Sequence, residues 1–125
     1  MNNIPGFVYL NVNPDKQKES DCVTRAIKLA TGLPYDEVRR KLYHTSKLLG
    51  CEKLCVCCYK FLIEEVFKFR RVNCDNMTVA EFSCINPYGI YLVRMNGHLS
   101  TIINGKVYDI FDCRSELLTD AWEVK

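Results

Sequence analysis

The character of the sequence changes at Pro87, and this change constrains the fold more than any other feature. After it, residues 90–95, 99–103 and 107–111 are rich in β-branched and aromatic side chains, which favour strands. Asn104-Gly105 separates the last two runs and is a strong signal for a two-residue hairpin. Because helical patterns precede these strands, the sequence predicts an α+β fold, with N-terminal helices packed on a C-terminal antiparallel β-sheet.

Helix signals occupy most of the chain before Pro87. Ser20 and Asp21 are good N-cap residues for a helix over residues 22–31, which Gly32 ends. The absence of repeats, low-complexity tracts and linkers predicts that residues 1–125 form one domain. The other predicted elements are helices over residues 34–49 and 54–67, a short helix after the capping box of Thr78 and Glu81, and strands over residues 7–10 and 69–72.

Apolar periodicity predicts which sides of the first two helices are buried. In the second helix, Val38, Leu42 and Leu49 are expected to face inward. In the first helix, one side is apolar (Val23, Ala26, Ile27, Leu29 and Ala30), and the other is polar (Thr24, Arg25, Lys28 and Thr31).

Composition and charge exclude several classes of protein. With 48% apolar and 26% charged residues, the chain is not expected to be disordered, and no apolar run is long enough for a membrane span. A net charge of +2 disfavours nucleic acid as a partner. The basic runs over residues 39–41 and 68–71 are typical of solvated faces, although neighbouring aromatic residues leave a nucleic-acid surface as an alternative.

Eight cysteines in 125 residues allow three interpretations: a disulfide framework, a zinc site, or a catalytic thiol among structural ones. No secretory signal is recognisable at the N-terminus, so a reducing, cytoplasmic location is expected and disulfides are disfavoured. Cys51, Cys55, Cys57 and Cys58 form a dense cluster, but a second ligand pair at zinc-site spacing is missing. The sequence therefore favours core packing for these residues, with no metal and no cofactor.

Cys22 differs from the other cysteines because it lies at a predicted helix N-terminus, where backbone N–H groups stabilise a thiolate. A nucleophilic cysteine also needs a histidine base and a third group that orients the base. The hairpin register places His98, Ser100 and Asp109 on one face of the sheet, so Asp109 is the expected partner of His98. A bulge near Asp109 would bring Asp112 to that face instead.

Several motifs are similar to those of a known family. They are Asn11-x-Asn13-Pro14, then Asp21-Cys22-Val23-x-Arg25-Ala26 and Thr31-Gly32; Met77-Thr78-Val79-Ala80-Glu81-Phe82; and Gly97-His98-Leu99 followed by Asn104-Gly105-x-x-Tyr108-Asp109-x-x-Asp112. The chain resembles small phage-encoded members of the papain-like superfamily of cysteine peptidases and amidases, outside residues 43–73. The resemblance implies a minimal papain-like fold, with Cys22 as nucleophile, His98 as general base and an acidic residue that orients it.

The same resemblance raises the question of the oxyanion donor. Papain-like enzymes usually carry a glutamine about six residues before the nucleophile, where this chain has Lys16, with Gln17 one position away. Asn13 is a further candidate if its loop folds back towards Cys22. Phe111 is expected to pack under the three site residues.

Two functions from different classes are compatible with these observations. The first is a cysteine hydrolase that acts on a peptide, isopeptide or side-chain amide bond through Cys22, His98 and Asp109, encoded by a phage or mobile element and acting on a host or bacterial protein. Deamidation and transglutamination use the same residue set. The second is a non-catalytic papain-like module that binds and inhibits a host protein. A cell-wall amidase is disfavoured, because such enzymes normally carry an added binding domain.

Overall fold

The computed structural model describes residues 6–14 and 21–124, and a six-stranded sheet forms its centre. The strand order is β1-β5-β4-β3-β6-β2, and every neighbouring pair is antiparallel except β1 with β5. The strands are β1 (Phe7–Tyr9), β2 (Arg70–Val72), β3 (Ile90–Met95), β4 (His98–Ile103), β5 (Lys106–Asp109) and β6 (Leu118–Glu123).

The predicted α+β class is confirmed, but the sheet differs from the expectation in two respects. It is mixed rather than purely antiparallel, because β1 adds to the edge of β5 in parallel. In addition, β6 was not predicted, although it lies between β3 and β2 and completes the sheet. The last predicted strand also ends at Asp109 instead of residue 111.

The helices follow the predicted order. They are α1 (Cys22–Thr31), α2 (Tyr35–Leu49), α3 (Val56–Phe61), which continues into a π-helical segment (Leu62–Val66), and α4 (Val79–Ile85). Gly32 and Gly50 end α1 and α2 in the left-handed conformation, with φ of 77° and 71°. Across residues 6–14 and 21–124, no helix has both the length and the apolar character needed to cross a membrane.

Side-chain alternation along β3 divides the core into two parts. Leu92 packs into a cluster with α1, α2 and α3, whereas Tyr91 and Val93 pack with Val79 and Phe82 of α4. The helices therefore cover both faces of the sheet, and α1, which begins with Cys22, lies on the same face as α2 and α3.

The inward and outward sides of the first two helices need correction. Val38 and Leu42 are buried as predicted, but Leu49 is 39% exposed at the end of α2. Thr24 and Arg25 were assigned to the polar side of α1, yet they are only 4% and 5% exposed. The burial of Arg25 follows from its ion pairs with Asp21 and Asp109 rather than from hydrophobicity, which is why apolar periodicity did not detect it.

Candidate active site

His98 and Asp109 lie on adjacent strands and share a hydrogen bond. The turn at Asn104 and Gly105, with φ of 50° and 78°, pairs Ile103 with Lys106 as the sequence predicts. This register places the beginning of β4 beside the end of β5. His98 Nε2 consequently lies 2.6 Å from Oδ2 of Asp109.

The carboxylate of Asp109 is buried but well supplied with donors. Oδ2 accepts a hydrogen bond from the Ser100 hydroxyl at 2.6 Å, and Oδ1 accepts one from the backbone N–H of Ile110 at 2.7 Å. Arg25 Nη1 lies 3.3 Å from Oδ1. Although burial disfavours the charge, the bonds from His98 and Ser100 hold the pKa of Asp109 below its usual value. Asp109 is therefore an anion, and in this form it orients the His98 ring.

Cys22 meets His98 because α1 is docked on β4. Thr101 Oγ1 donates a 2.7 Å hydrogen bond to the carbonyl oxygen of Ala26, and this bond joins the two elements inside the core. The Cys22 thiol in turn interacts with the imidazole of His98 and with the backbone of Leu99. Since Nε2 of His98 is engaged by Asp109, Nδ1 is the ring nitrogen that faces Cys22.

Cys22 and His98 change each other's proton affinity. Although burial opposes ionisation, the hydrogen bonds from His98 and the Leu99 backbone lower the pKa of the Cys22 thiol. Burial also opposes a charge on His98, but Asp109 and Cys22 raise its pKa to about 9. These opposite shifts favour a thiolate beside an imidazolium, which is the reactive form of a nucleophilic cysteine.

The alternative carboxylate has a different partner. Asp112 bonds Arg114 through both carboxylate oxygens, at 2.8 Å and 2.7 Å, so Asp109 rather than Asp112 contacts His98. Phe111 lies next to the histidine, with its ring centroid 4.5 Å from that of His98 and the planes tilted by 54°. This contact agrees with the expected packing of Phe111 near the three site residues.

Of the oxyanion donors suggested by the sequence, Asn13 lies within the described residues. Lys16 and Gln17 are outside the described residues. The Asn13 amide donates to Asp21 Oδ2 at 2.9 Å and to the Tyr35 hydroxyl at 3.2 Å. The first turn of α1 offers backbone N–H groups as donors near the thiol, because a helix leaves its first N–H groups without an intrahelical acceptor.

Cys22 and His98 open on a cavity of about 210 Å³. Leu54, from the connection between α2 and α3, forms part of its wall together with Val56 and Tyr59 of α3. A larger cavity of about 410 Å³ is lined by polar groups such as Asp21 and Arg39. The smaller cavity is the relevant one, because it contains the thiol and the imidazole and has apolar walls that fit a side chain next to the bond under attack.

Three of the remaining cysteines are buried, as the core interpretation predicts: Cys58, Cys74 and Cys113. Cys57 and Cys84 are exposed, so for them the interpretation as core residues is wrong. Cys113 lies near Asp109 and His98, and these three are close enough to share a metal ion. Burial and the charge of Asp109 raise the pKa of Cys113 to about 12, and His98 Nε2 and Asp109 Oδ2 already bond each other at 2.6 Å.

A second grouping comprises Cys51, Cys55 and Cys57, whose sulfur atoms all lie within 4.8 Å of one another. The interpretation of these cysteines as core residues did not anticipate this grouping, because the sequence has no second ligand pair at zinc-site spacing. The turn that brings the three sulfurs together is not recognisable from that spacing.

Sequence reasoning also missed the polar residues that support the site. Arg25 Nε bonds Asp21 Oδ1 at 2.7 Å, while Tyr35 donates its hydroxyl hydrogen to Asp21 Oδ2 at 2.6 Å. Asp21 was expected to cap α1, but its carboxylate is occupied by these side chains and by Asn13. The i,i+4 spacing of Asp21 and Arg25 is the signal that predicts their pairing.

The basic runs carry acidic partners. Arg39 lies 3.6 Å from Asp36, and Arg71 bonds Glu64 at 2.8 Å. Such pairs are typical of solvated charged faces.

Comparison of the chain with protein-family models, with curated proteins and with solved structures finds no match.

Proposed function

We propose that this protein is a cysteine hydrolase with a minimal papain-like fold, which cleaves a peptide, isopeptide or side-chain amide bond. The observation that carries the proposal is the continuous contact from the Cys22 thiol through the His98 ring to the Asp109 carboxylate. Nucleophile, base and orienting group follow one another in the order that thiol-based acyl transfer requires. The shifted pKa values of Cys22 and His98 add a second, electrostatic argument.

In the first half of the reaction, the Cys22 thiolate attacks the carbonyl carbon and forms a tetrahedral intermediate. Backbone N–H groups at the start of α1 stabilise its oxyanion. The His98 imidazolium donates its Nδ1 proton to the leaving amine as the C–N bond breaks, which leaves an acyl thioester and a neutral imidazole.

In the second half, neutral His98 accepts a proton from water while the water oxygen attacks the thioester carbonyl. Collapse of the intermediate releases the carboxylic acid and restores the Cys22 thiolate beside the His98 imidazolium. Asp109 keeps its hydrogen bond to Nε2 throughout, so that Nδ1 stays directed at the sulfur and the positive charge is stabilised.

The proposed substrate is a host or bacterial protein, as the resemblance to small phage-encoded papain-like proteins implies, and the site of action is the cytoplasm of the host cell. The cavity beside Cys22 accommodates one side chain of such a substrate. Its apolar wall of Leu54, Val56 and Leu99 favours an apolar residue next to the reacting carbonyl.

Acyl transfer to a small activated ester tests the proposal without knowledge of the natural substrate. Under reducing conditions at neutral pH, p-nitrophenyl acetate is expected to acylate Cys22 and to be hydrolysed over many turnovers, with the adduct located by peptide mass spectrometry. Cys22→Ala and His98→Ala should remove the turnover. Cys84→Ala is the matched control, because it removes an exposed thiol remote in sequence from the site residues.

Turnover distinguishes the hydrolase from a non-catalytic binding module. If Cys22 is acylated no faster than Cys57 and Cys84, and the ester is not turned over, the hydrolase proposal is wrong. Capture of a bacterial protein that is unaffected by Cys22→Ala and His98→Ala would then favour the binding module.

A further inference from the structure

Three cysteine thiols meet at the surface between α2 and α3. The sulfur atoms of Cys51, Cys55 and Cys57 all lie within 4.8 Å of one another, and those of Cys55 and Cys57 are 2.9 Å apart. Cys51 and Cys55 are half-buried and pack against the core under α1–α3, whereas Cys57 is exposed. The group is therefore both accessible to solvent and anchored to the fold.

The backbone between α2 and α3 determines where the thiols lie. Gly50 ends α2 in the left-handed conformation, and the N–H groups of Gly50 and Cys51 both donate to the carbonyl oxygen of Ser46, at 2.8 Å and 3.0 Å. A turn then closes with a 3.2 Å bond from the Cys55 N–H to the Glu52 carbonyl oxygen. Cys51 is thus fixed to the end of α2, and Cys55 to the start of α3.

We propose that Cys51, Cys55 and Cys57 form a binding site for a thiophilic divalent metal ion, with zinc as the ion that fits best. Tetrahedral zinc has Zn–S bonds of about 2.3 Å, which places its sulfur ligands roughly 3.8 Å apart. The observed separations, 2.9 Å between Cys55 and Cys57 and at most 4.8 Å among the three, lie on either side of that spacing. A ligand set of sulfur alone selects a soft or borderline ion over Mg²⁺ or Ca²⁺, which prefer oxygen.

Binding involves no change of oxidation state. Each of the three thiols releases its proton to solvent and forms one metal–sulfur bond, which gives a tris-thiolate complex with a net charge of −1 for a divalent ion. Cys58 lies outside this group, since its thiol donates to the carbonyl oxygen of Leu42 at 3.5 Å inside the core. The fourth position of the tetrahedron is therefore assigned to water.

Such an ion would also shape the neighbouring cavity. Leu54 lies between Cys51 and Cys55 in sequence, Val56 lies between Cys55 and Cys57, and both residues line the cavity that contains Cys22. A metal that crosslinks the three cysteines would hold this wall in place. The metal site itself does not depend on the proposed hydrolase activity.

Cobalt(II) is the appropriate probe, because its absorption reports both thiolate ligation and tetrahedral geometry. The full chain would carry Cys22→Ala, which removes the thiol of the candidate active site, and would be titrated anaerobically under reducing conditions. The expected result is one Co²⁺ per chain with thiolate-to-metal charge-transfer bands, displaced by Zn²⁺. Cys55→Ser and Cys57→Ser should each weaken binding by at least about 100-fold, and Cys84→Ser should leave it unchanged.

Each contrary result overturns the metal site. These results are the absence of thiolate-to-cobalt bands, binding that survives Cys55→Ser or Cys57→Ser, or equal loss of binding in Cys84→Ser. Far-UV circular dichroism of the metal-free variants establishes that they remain folded. Ester turnover by Cys22 is measured separately in the otherwise unchanged chain, so failure of the metal site and failure of the hydrolase are distinguished.

Discussion

Arg25 connects the helix that carries Cys22 to the strand that carries Asp109. Its Nη1 lies 3.3 Å from Asp109 Oδ1, and its Nε lies 2.7 Å from Asp21 Oδ1. Arg25 is only 5% exposed, so one guanidinium compensates two carboxylates inside the protein. Cys22 lies three residues before Arg25 on the same helix. The ion pairs of Arg25 therefore also hold the start of α1, with the Cys22 thiol, next to His98.

Replacement of Arg25 is expected to destabilise the fold and to disturb the site. Arg25→Met leaves the buried carboxylate of Asp21 without its cation and leaves Asp109 with His98 as its cationic partner, which should lower the free energy of unfolding by about 3–5 kcal/mol. Urea unfolding measures this loss. Arg39→Met is the control, because its exposed pair with Asp36 should contribute no more than about 0.5 kcal/mol. Equal stability of the two variants would contradict the role assigned to Arg25.

Replacement by asparagine is expected to have different effects at the two candidate carboxylates, Asp109 and Asp112. Asp109→Asn removes the anion that holds the His98 ring, and the rate of Cys22 acylation should fall by roughly 10²- to 10⁴-fold. Asp112→Asn is the matched control, since Asp112 pairs with Arg114 and should change the rate less than about twofold. Stopped-flow measurement of p-nitrophenol release compares them. A larger loss in Asp112→Asn would reverse the assignment.

The parts of the site that were predictable from the sequence depend on local rules. Gly32 sets the end of α1, and Asn104-Gly105 sets the hairpin register. A two-residue turn leaves only one pairing, so the proximity of His98 and Asp109 followed from the sequence alone. The position of Cys22 at a helix start was also predictable from a local rule, because good N-cap residues precede it.

The features that were missed depend on contacts between distant segments. β6 pairs with β3 and β2, and Trp122 on that strand donates a 2.8 Å hydrogen bond to Glu64, 58 residues earlier. Arg25 was assigned to the polar side of α1, because apolar periodicity does not show that the Asp109 carboxylate lies close enough to form an ion pair with it. The sulfur group between α2 and α3 depends on a turn whose path is not encoded by cysteine spacing.

His98 is expected to titrate far above an ordinary histidine. Asp109 and Cys22 raise its pKa from 6.5 to about 9 despite burial, and both Asp109→Asn and Cys22→Ala should lower it. Because the folded pKa is the higher one, the contribution of this proton to stability is complete below pH 6.5 and is lost as pH rises through about 9. Imidazole NMR shifts measured against pH give the value, and His44→Gln assigns the signal since the chain has only 2 histidines. An unchanged pKa in both variants would contradict the proposed contacts.

Ser100 is expected to stabilise the charged form of Asp109. Its hydroxyl donates a 2.6 Å hydrogen bond to Oδ2 in the buried site, so Ser100→Ala should cost about 1.5–3 kcal/mol at pH 7 and raise the pKa of Asp109. The lowered pKa of Asp109 stabilises the fold above its usual 3.8, and this contribution is lost as pH falls through the folded value. The stability difference from the unsubstituted protein should therefore be full at pH 7 and shrink below pH 3.8. Urea unfolding at several pH values tests this, with Ser83→Ala as control because Ser83 donates to the neutral Ala80 carbonyl and the effect of its loss should not vary with pH. A pH-independent difference for Ser100→Ala would show that the hydroxyl does not act on the charge of Asp109.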